Sequence, residues 1–151
     1  MKLYIKSLII IFFLFSASMV KASGDENATE INWLSIEEAQ IKGQNEPRSV
    51  FVDVYTDWCG WCKKMDKSTF QDAEVVKYVN ENYYAVKLDA ESNNIVTFNG
   101  VDLTERELAR AFRVSGYPTI VIIDETFQQI TPLPGYKQAA EFKNVLMQFD
   151  N

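Results

Sequence analysis

Histidine is absent from this 151-residue chain, and cysteine occurs only twice, as Cys59 and Cys62. A zinc site needs about four ligands, so two thiols without an imidazole nearly exclude a Cys/His zinc site built by one chain. Covalent haem attachment needs a histidine directly after the second cysteine, where this chain has Lys63. The sequence therefore predicts neither a metal nor another cofactor.

Basic residues are also in the minority, with 15 Lys and Arg against 21 Asp and Glu, which gives a net charge of −6. An acidic surface repels nucleic acid and offers no polybasic patch to anionic lipid. We therefore expect no nucleic-acid partner.

A long apolar run is missing, but a short one lies near the start. Lys2 and Lys6 precede an uncharged, apolar stretch from Ser7 to Val20, and Ala22 follows in a position that suits a signal peptidase. The stretch is shorter than the ~20 apolar residues of a membrane-spanning helix. We expect a signal peptide over residues 1–22 that is cleaved after about Ala22.

A retained membrane anchor is the alternative to cleavage, whereas a lipid-attached N-terminus is excluded because no cysteine lies nearby. Cleavage removes three lysines and no acid, leaving 12 basic and 21 acidic residues and a net charge of −9. The expected product is a periplasmic or otherwise exported protein without stable membrane insertion. It has a flexible leader over residues 23–30 and one domain over residues 31–151.

Apolar periodicity predicts strands alternating with helices in this domain. Capping boxes at Ser35 and Thr104 mark two helix starts. The polar stretch Asp89–Asp102 is expected to be irregular, with a turn at Asn99-Gly100. This order predicts an α/β fold in which a mixed central sheet has helices on both faces. The predicted strands are 49–55, 83–88, 119–124 and about 128–131, and the predicted helices are 35–43, 59–67, 72–82, 104–113 and 136–149.

The two cysteines follow a predicted strand and begin a predicted helix. Their spacing allows both to lie on the first helical turn, where they can form a disulfide or a dithiol. Free backbone N–H groups and the helix dipole stabilise a thiolate at Cys59. We expect Cys59 to be the exposed attacking thiol and Cys62 to lie deeper and resolve the mixed disulfide.

An inert structural disulfide stays open as an alternative. Closing a loop this small removes little entropy from the unfolded chain, so a disulfide between the two cysteines would stabilise the fold only weakly.

The segment from Val52 to Lys63, with Trp58-Cys59-Gly60-Trp61-Cys62 at its centre, resembles the thioredoxin superfamily. The following segment Ser68–Val75 is similar to the C-terminal domain of the thiol:disulfide interchange protein DsbD. This resemblance implies a thioredoxin fold and dithiol/disulfide exchange. The Gly60-Trp61 dipeptide departs from the Gly-Pro of thioredoxin, which leaves the redox direction open.

Four further positions resemble features of the family. The segment Gly116–Thr119 resembles the cis-proline loop that faces the active-site sulfurs and receives a partner's backbone. Asp53 resembles the buried acid beneath the second cysteine, and Lys87 resembles its lysine neighbour. Gly135 resembles the late glycine near the site.

The resemblance implies catalytic roles for Cys59, Cys62, Asp53 and Lys87. It implies partner binding by Trp58, Trp61, Tyr117, Pro118, Thr119 and Gly135. We favour a monomeric reductase or electron relay, which acts on disulfide-containing exported proteins and takes electrons from a membrane thiol transporter. A disulfide oxidase or isomerase is one alternative, and a non-catalytic peptide-binding module is another.

Overall fold

A five-stranded sheet forms the centre of the computed structural model, which describes residues 28–150. The strands of the described chain are β1 Trp33–Leu34, β2 Val50–Tyr55, β3 Tyr84–Asp89, β4 Ile95–Phe98, β5 Val101–Thr104, β6 Thr119–Ile123 and β7 Ile130–Pro134. The α-helices are α1 Ile36–Asn45, α2 Gly60–Lys67, α3 Ala73–Asn82, α4 Glu105–Ala111 and α5 Ala139–Phe149, with a 3-10 turn over Thr69–Gln71.

The central sheet has the order β1-β3-β2-β6-β7, and β4 and β5 pair separately. Strand β2 pairs parallel to β3 and antiparallel to β6, and β7 pairs antiparallel to β6 at the edge. The predicted mixed sheet is therefore confirmed.

Alternation along β2 divides the core into two layers. Val50, Val52 and Val54 pack on one side with α1 and α4. Phe51 packs on the other side, where α2, α3 and α5 contribute Met65, Val75, Val76, Val79, Phe142 and Leu146. Helices therefore cover both faces, as predicted.

Both predicted capping boxes are present. The Glu38 N–H donates to Ser35 Oγ, and the Ser35 N–H donates to a Glu38 carboxylate oxygen. Thr104 and Glu107 make the same reciprocal pair at the start of α4, which ends two residues before the predicted Arg113.

The stretch 89–102 is not irregular as predicted, because it contains most of the β4–β5 hairpin. Asn99 and Gly100 take φ values of 50° and 77°, so the predicted turn is confirmed, and Val96 opposite Leu103 packs against the core. The strands are only four residues long and only partly buried, so each contains too little of the alternating pattern to be predicted from sequence.

Near the C-terminus the element bounds differ from those predicted. Strand β7 covers Ile130–Pro134 rather than 128–131, and its two prolines are tolerated because it is an edge strand. Helix α5 begins at Ala139 rather than Tyr136, because Gly135 has a φ of 95° and turns the chain away first. The two-residue strand β1 was not predicted.

The expected signal peptide over residues 1–22 lies outside the described residues, as does most of the expected leader. At the end of that leader, the Glu30 carbonyl accepts a hydrogen bond from the Asn80 side chain at 2.9 Å. Among residues 28–150, no helix combines the length and the hydrophobicity needed to cross a membrane.

Candidate active site

The two cysteines form a disulfide where β2 gives way to α2. Their Sγ atoms are 2.12 Å apart, and Cys59 is the N-cap of α2. The Cys59 N–H donates to the Thr56 carbonyl at 3.1 Å, and the Lys63 N–H donates to the Cys59 carbonyl at 3.2 Å. The predicted strand–turn–helix setting is therefore confirmed.

The helix N-terminus acts directly on the first sulfur. The Cys62 N–H donates to Cys59 Sγ at 3.1 Å. The same donor and the positive end of the helix dipole stabilise a thiolate at Cys59 once the disulfide opens.

The expectation that Cys59 is exposed is wrong for the oxidised pair. Cys59 is 4% exposed and Cys62 is 2% exposed. Cys59 Sγ is shielded because it points back at the helix N–H groups and is bonded to the second sulfur.

Asp53 and Lys87 meet on the α2 side of the sheet, and Asp53 is only 1% exposed. Asp53 is adjacent to Lys87 in the β2–β3 register, and Lys87 Nζ donates to Asp53 Oδ2 at 2.9 Å. Asp53 is therefore buried, as the resemblance implied, and does not lie on a solvated strand face. Burial raises the pKa of Asp53 to about 6, although Lys87 opposes that rise.

Asp66 on α2 is the second anion at Lys87, and the sequence analysis missed it. Lys87 Nζ donates to Asp66 Oδ1 at 2.5 Å. Burial lowers the pKa of Lys87, but the charges of Asp53 and Asp66 outweigh burial and raise the pKa overall. Asp66 lies four residues after Cys62, and this helical spacing was the available signal.

The predicted loop around Pro118 lies at the end of β2 that leads to the disulfide, because Thr119 pairs with Val54. The Tyr117–Pro118 peptide bond is cis. The Tyr117 ring meets the Trp58 ring edge to face, with centroids 5.9 Å apart, and Trp58 directly precedes Cys59. Thr119 is 1% exposed, and its hydroxyl donates to the Gly116 carbonyl at 2.7 Å, inside the loop.

Gly135 is held against the same loop. The Gly135 N–H donates to the Pro118 carbonyl at 2.9 Å, which extends the β6–β7 pairing past Thr119. Lys137, which the sequence analysis did not single out, is 8% exposed, and its Nζ lies within 3.3 Å of three carbonyl oxygens. The three acceptors are Leu133, Pro134 and Gly135.

An exposed tryptophan directly precedes each of the two cysteines. Trp58 and Trp61 are 67% and 57% exposed. Trp61 contacts Tyr136 with ring centroids 5.1 Å apart, and Lys64 Nζ lies over both rings at 4.8 and 5.1 Å. The site therefore presents exposed apolar surface next to the disulfide.

A disulfide that caps a helix, with a buried acid behind that helix and a mixed sheet covered on both faces, is the arrangement of a thiol–disulfide oxidoreductase with the thioredoxin fold. The family model described as a thioredoxin-like domain matches residues 34–150, and the chain belongs to that family.

Among its relatives is the thiol:disulfide interchange protein DsbD of Photorhabdus laumondii, which is 32% identical over 117 residues. The match covers 76% of this chain but 18% of that protein, so the chain spans less than a fifth of its relative's length.

Solved structures show the same fold. A structure described as DsbH oxidoreductase superposes with a TM-score of 0.65 at 20% identity, covering 88% of this chain and 93% of that one. The oxidised C-terminal domain of Neisseria meningitidis DsbD superposes with a TM-score of 0.58 at 22% identity, covering 75% of this chain and 90% of that domain.

Proposed function

We propose that this chain is an exported, monomeric reductase or electron relay that exchanges disulfides with other exported proteins. The observation that carries the proposal is the Cys59–Cys62 disulfide at the N-terminus of α2, beside the Pro118 loop. The sequence pattern of residues 1–22 supports export, and the similarity to DsbD supports a place in periplasmic electron transfer.

In the reduced protein, the Cys59 thiolate attacks one sulfur of a partner disulfide. A mixed disulfide forms, and the partner's second sulfur leaves as a thiolate that takes a proton from water. Cys62 then loses its proton and attacks Cys59 Sγ. This second step closes the Cys59–Cys62 disulfide and releases the partner's first sulfur, so that two electrons have passed to the partner.

Asp53 is the proposed acceptor of the Cys62 proton. It lies on the sheet face that α2 covers, and a carboxyl group with a pKa of about 6 can take up and release a proton near neutral pH. Lys87 holds this carboxylate in place through Oδ2. The closed disulfide must then be opened by a dithiol donor, for which we propose a membrane thiol transporter.

Single cysteine substitutions test the chemistry. Cys59→Ser should abolish reduction of a protein disulfide, whereas Cys62→Ser should accumulate a mixed disulfide through Cys59 because attack survives and resolution does not. Mass spectrometry of the trapped adduct checks this, with limiting alkylation of the reduced wild type as the control. A trapped adduct on Cys62 in Cys59→Ser, or faster alkylation of Cys62, would reverse the assignment of roles.

Measurement of the reduction potential separates a reductase from an oxidase. The strong oxidant DsbA has a histidine between its cysteines, and this chain has none. We expect a potential nearer the about −270 mV of thioredoxin than the about −120 mV of DsbA. A value near that of DsbA would favour the oxidase.

A further inference from the structure

A cavity of about 300 Å³ lies beside the Pro118 loop. Its lining includes Tyr117, the buried alanines Ala90 and Ala109, and Arg106 and Arg110 of α4. This volume is at the lower end of the ~300–1,000 Å³ range of small-molecule pockets, so the cavity suits one side chain better than a cofactor.

The two arginines are four residues apart and therefore share one face of α4. The Arg106 Nη2 group donates to the Glu91 carbonyl at 2.6 Å, which fixes that guanidinium at the cavity. Neither arginine forms an ion pair with a carboxylate among residues 28–150. The exposed Glu91 side chain also lines the cavity, so its lining combines two cations with one anion.

Tyr117 connects this cavity with the disulfide. Its ring contacts Trp58, which precedes Cys59, and the same residue lines the cavity. A partner chain that lies along the Pro118 loop, as in the proposed function, would therefore pass the cavity within a few residues of its reacting cysteine.

Helix α2, which begins at the disulfide, also carries positive charge close to it. Lys64 is held over the rings of Trp61 and Tyr136. In a chain with a net charge of −6, Lys64 near the disulfide therefore adds a third cation to Arg106 and Arg110 of the cavity. This arrangement complements an acidic partner segment.

We propose that the cavity formed by Arg106 and Arg110 receives the carboxylate of a Glu or Asp close in sequence to the partner's reacting cysteine. A guanidinium is suited to this task because its N–H groups match the two oxygens of a carboxylate. The inference rests on the proposed function and adds a substrate class to it, namely extended acidic segments.

Peptides with a single Glu test the inference. Each peptide carries one cysteine, capped as a disulfide with 2-mercaptoethanol, and one Glu at any of the three positions before or after it. An all-Gln peptide is the reference. Reduction by the pre-reduced full chain is followed under single-turnover conditions by tryptophan fluorescence. At one or two positions, Glu should raise the second-order rate constant about tenfold over Gln, which corresponds to about 1.4 kcal/mol.

Arg110→Gln is the variant of choice because Arg110 is exposed and donates no side-chain hydrogen bond within the described residues. It should reduce the Glu/Gln ratio below about threefold, since one of two guanidinium groups is lost. Lys77→Gln removes an exposed cation from α3, on the other face of the sheet, and should keep the full ratio. Comparing ratios within each protein cancels any general change in activity.

Two results would overturn the inference while the proposed function stands. One is a wild type that reduces every peptide with ratios below twofold, and the other is a ratio unaltered in Arg110→Gln. Failure to reduce the peptides and hydroxyethyl disulfide alike would instead overturn the proposed function, and the inference with it.

Discussion

Two lysines beside the active site are both largely shielded from water, yet their surroundings shift their pKa values in opposite directions. Lys87 lies between the carboxylates of Asp53 and Asp66, and its pKa is raised because their charges outweigh burial. Lys137 faces three neutral carbonyl oxygens, and burial lowers its pKa although Glu141 opposes that effect.

The difference shows that hydrogen bonds to neutral carbonyl groups do not offset the desolvation of an ammonium group as fully as nearby carboxylate charges do. Three carbonyl dipoles fail to offset the desolvation of Lys137, whereas two full negative charges do so for Lys87. Lys87 can therefore serve as a fixed counter-charge for Asp53, while Lys137 anchors the segment that holds Gly135 against Pro118.

The largest expected effect on stability comes from Asp53→Asn, which removes the buried carboxylate that Lys87 binds. The pKa of Asp53 is raised from 3.8 to about 6 in the folded chain, so the folded state binds this proton more tightly than the unfolded state. Ionisation of Asp53 therefore lowers the free energy of unfolding as pH rises from about 3.8 through 6, by about 3 kcal/mol in total. The Asp53→Asn variant should not show this decrease in the free energy of unfolding, because its side chain does not ionise.

Urea unfolding of the oxidised protein between pH 3 and pH 7 measures how the free energy of unfolding depends on pH. The stability of Asp53→Asn relative to wild type should increase by about 3 kcal/mol across that range. Asp57→Asn is the matched control, because it removes an exposed carboxylate from the loop that follows β2. Parallel curves for wild type and Asp53→Asn would contradict the raised pKa.

A smaller effect is expected from Lys87→Met, which keeps the stem packed near Trp33 and Phe70 but removes the charge. Without this cation, desolvation should push the pKa of Asp53 above 6, at about 1.4 kcal/mol for each further unit. Stability should fall by about 1–2 kcal/mol at pH 7 and much less at pH 5, where Asp53 is already protonated.

Chemical denaturation at both pH values provides the readout. Asp66→Asn removes the partly exposed partner of Lys87 and should cost below about 1 kcal/mol. An equal loss for Lys87→Met at pH 5 and pH 7 would show that packing, not charge, is what Lys87 provides.

The smallest effect is expected from Lys137→Met, within about 1 kcal/mol of wild type at pH 7. Relief of the buried ammonium offsets the loss of its hydrogen bonds to Leu133, Pro134 and Gly135. The pKa values of Lys87 and Lys137 can be compared directly by NMR titration of the lysine 13Cε resonances. Lys137 should titrate below an ordinary lysine and Lys87 above it, and the reverse order would refute the contrast.

Much of the fold follows from local sequence patterns. The capping boxes at Ser35 and Thr104 and the run of β-formers in β2 predicted elements that the structure contains. The β4–β5 hairpin was missed because each strand is four residues long and buries only part of one face. Its turn was still predicted, because Asn99-Gly100 favours a left-handed backbone.

The sequence also predicted most residues of the site. Cys59, Cys62, Asp53 and Pro118 stand in patterns within a few residues of one another or match a family motif. Asp66 was missed because its spacing from Cys62 was a weak signal and its partner Lys87 lies on β3, which only the folded chain brings within reach.

By itself, the sequence determined the local chemistry: a disulfide pair at a helix start, a buried acid in the preceding strand and a cis-proline motif before a later strand. The spacing of the two cysteines fixes the geometry of the pair, whereas the buried acid and the cis-proline were expected from the resemblance to the thioredoxin superfamily. Only the tertiary structure decided how charges from separate elements meet, because electrostatic interactions depend on distance in space and on burial. It set Lys87 between two carboxylates, left Lys137 among neutral carbonyls and placed Arg106 and Arg110 beside the Pro118 loop.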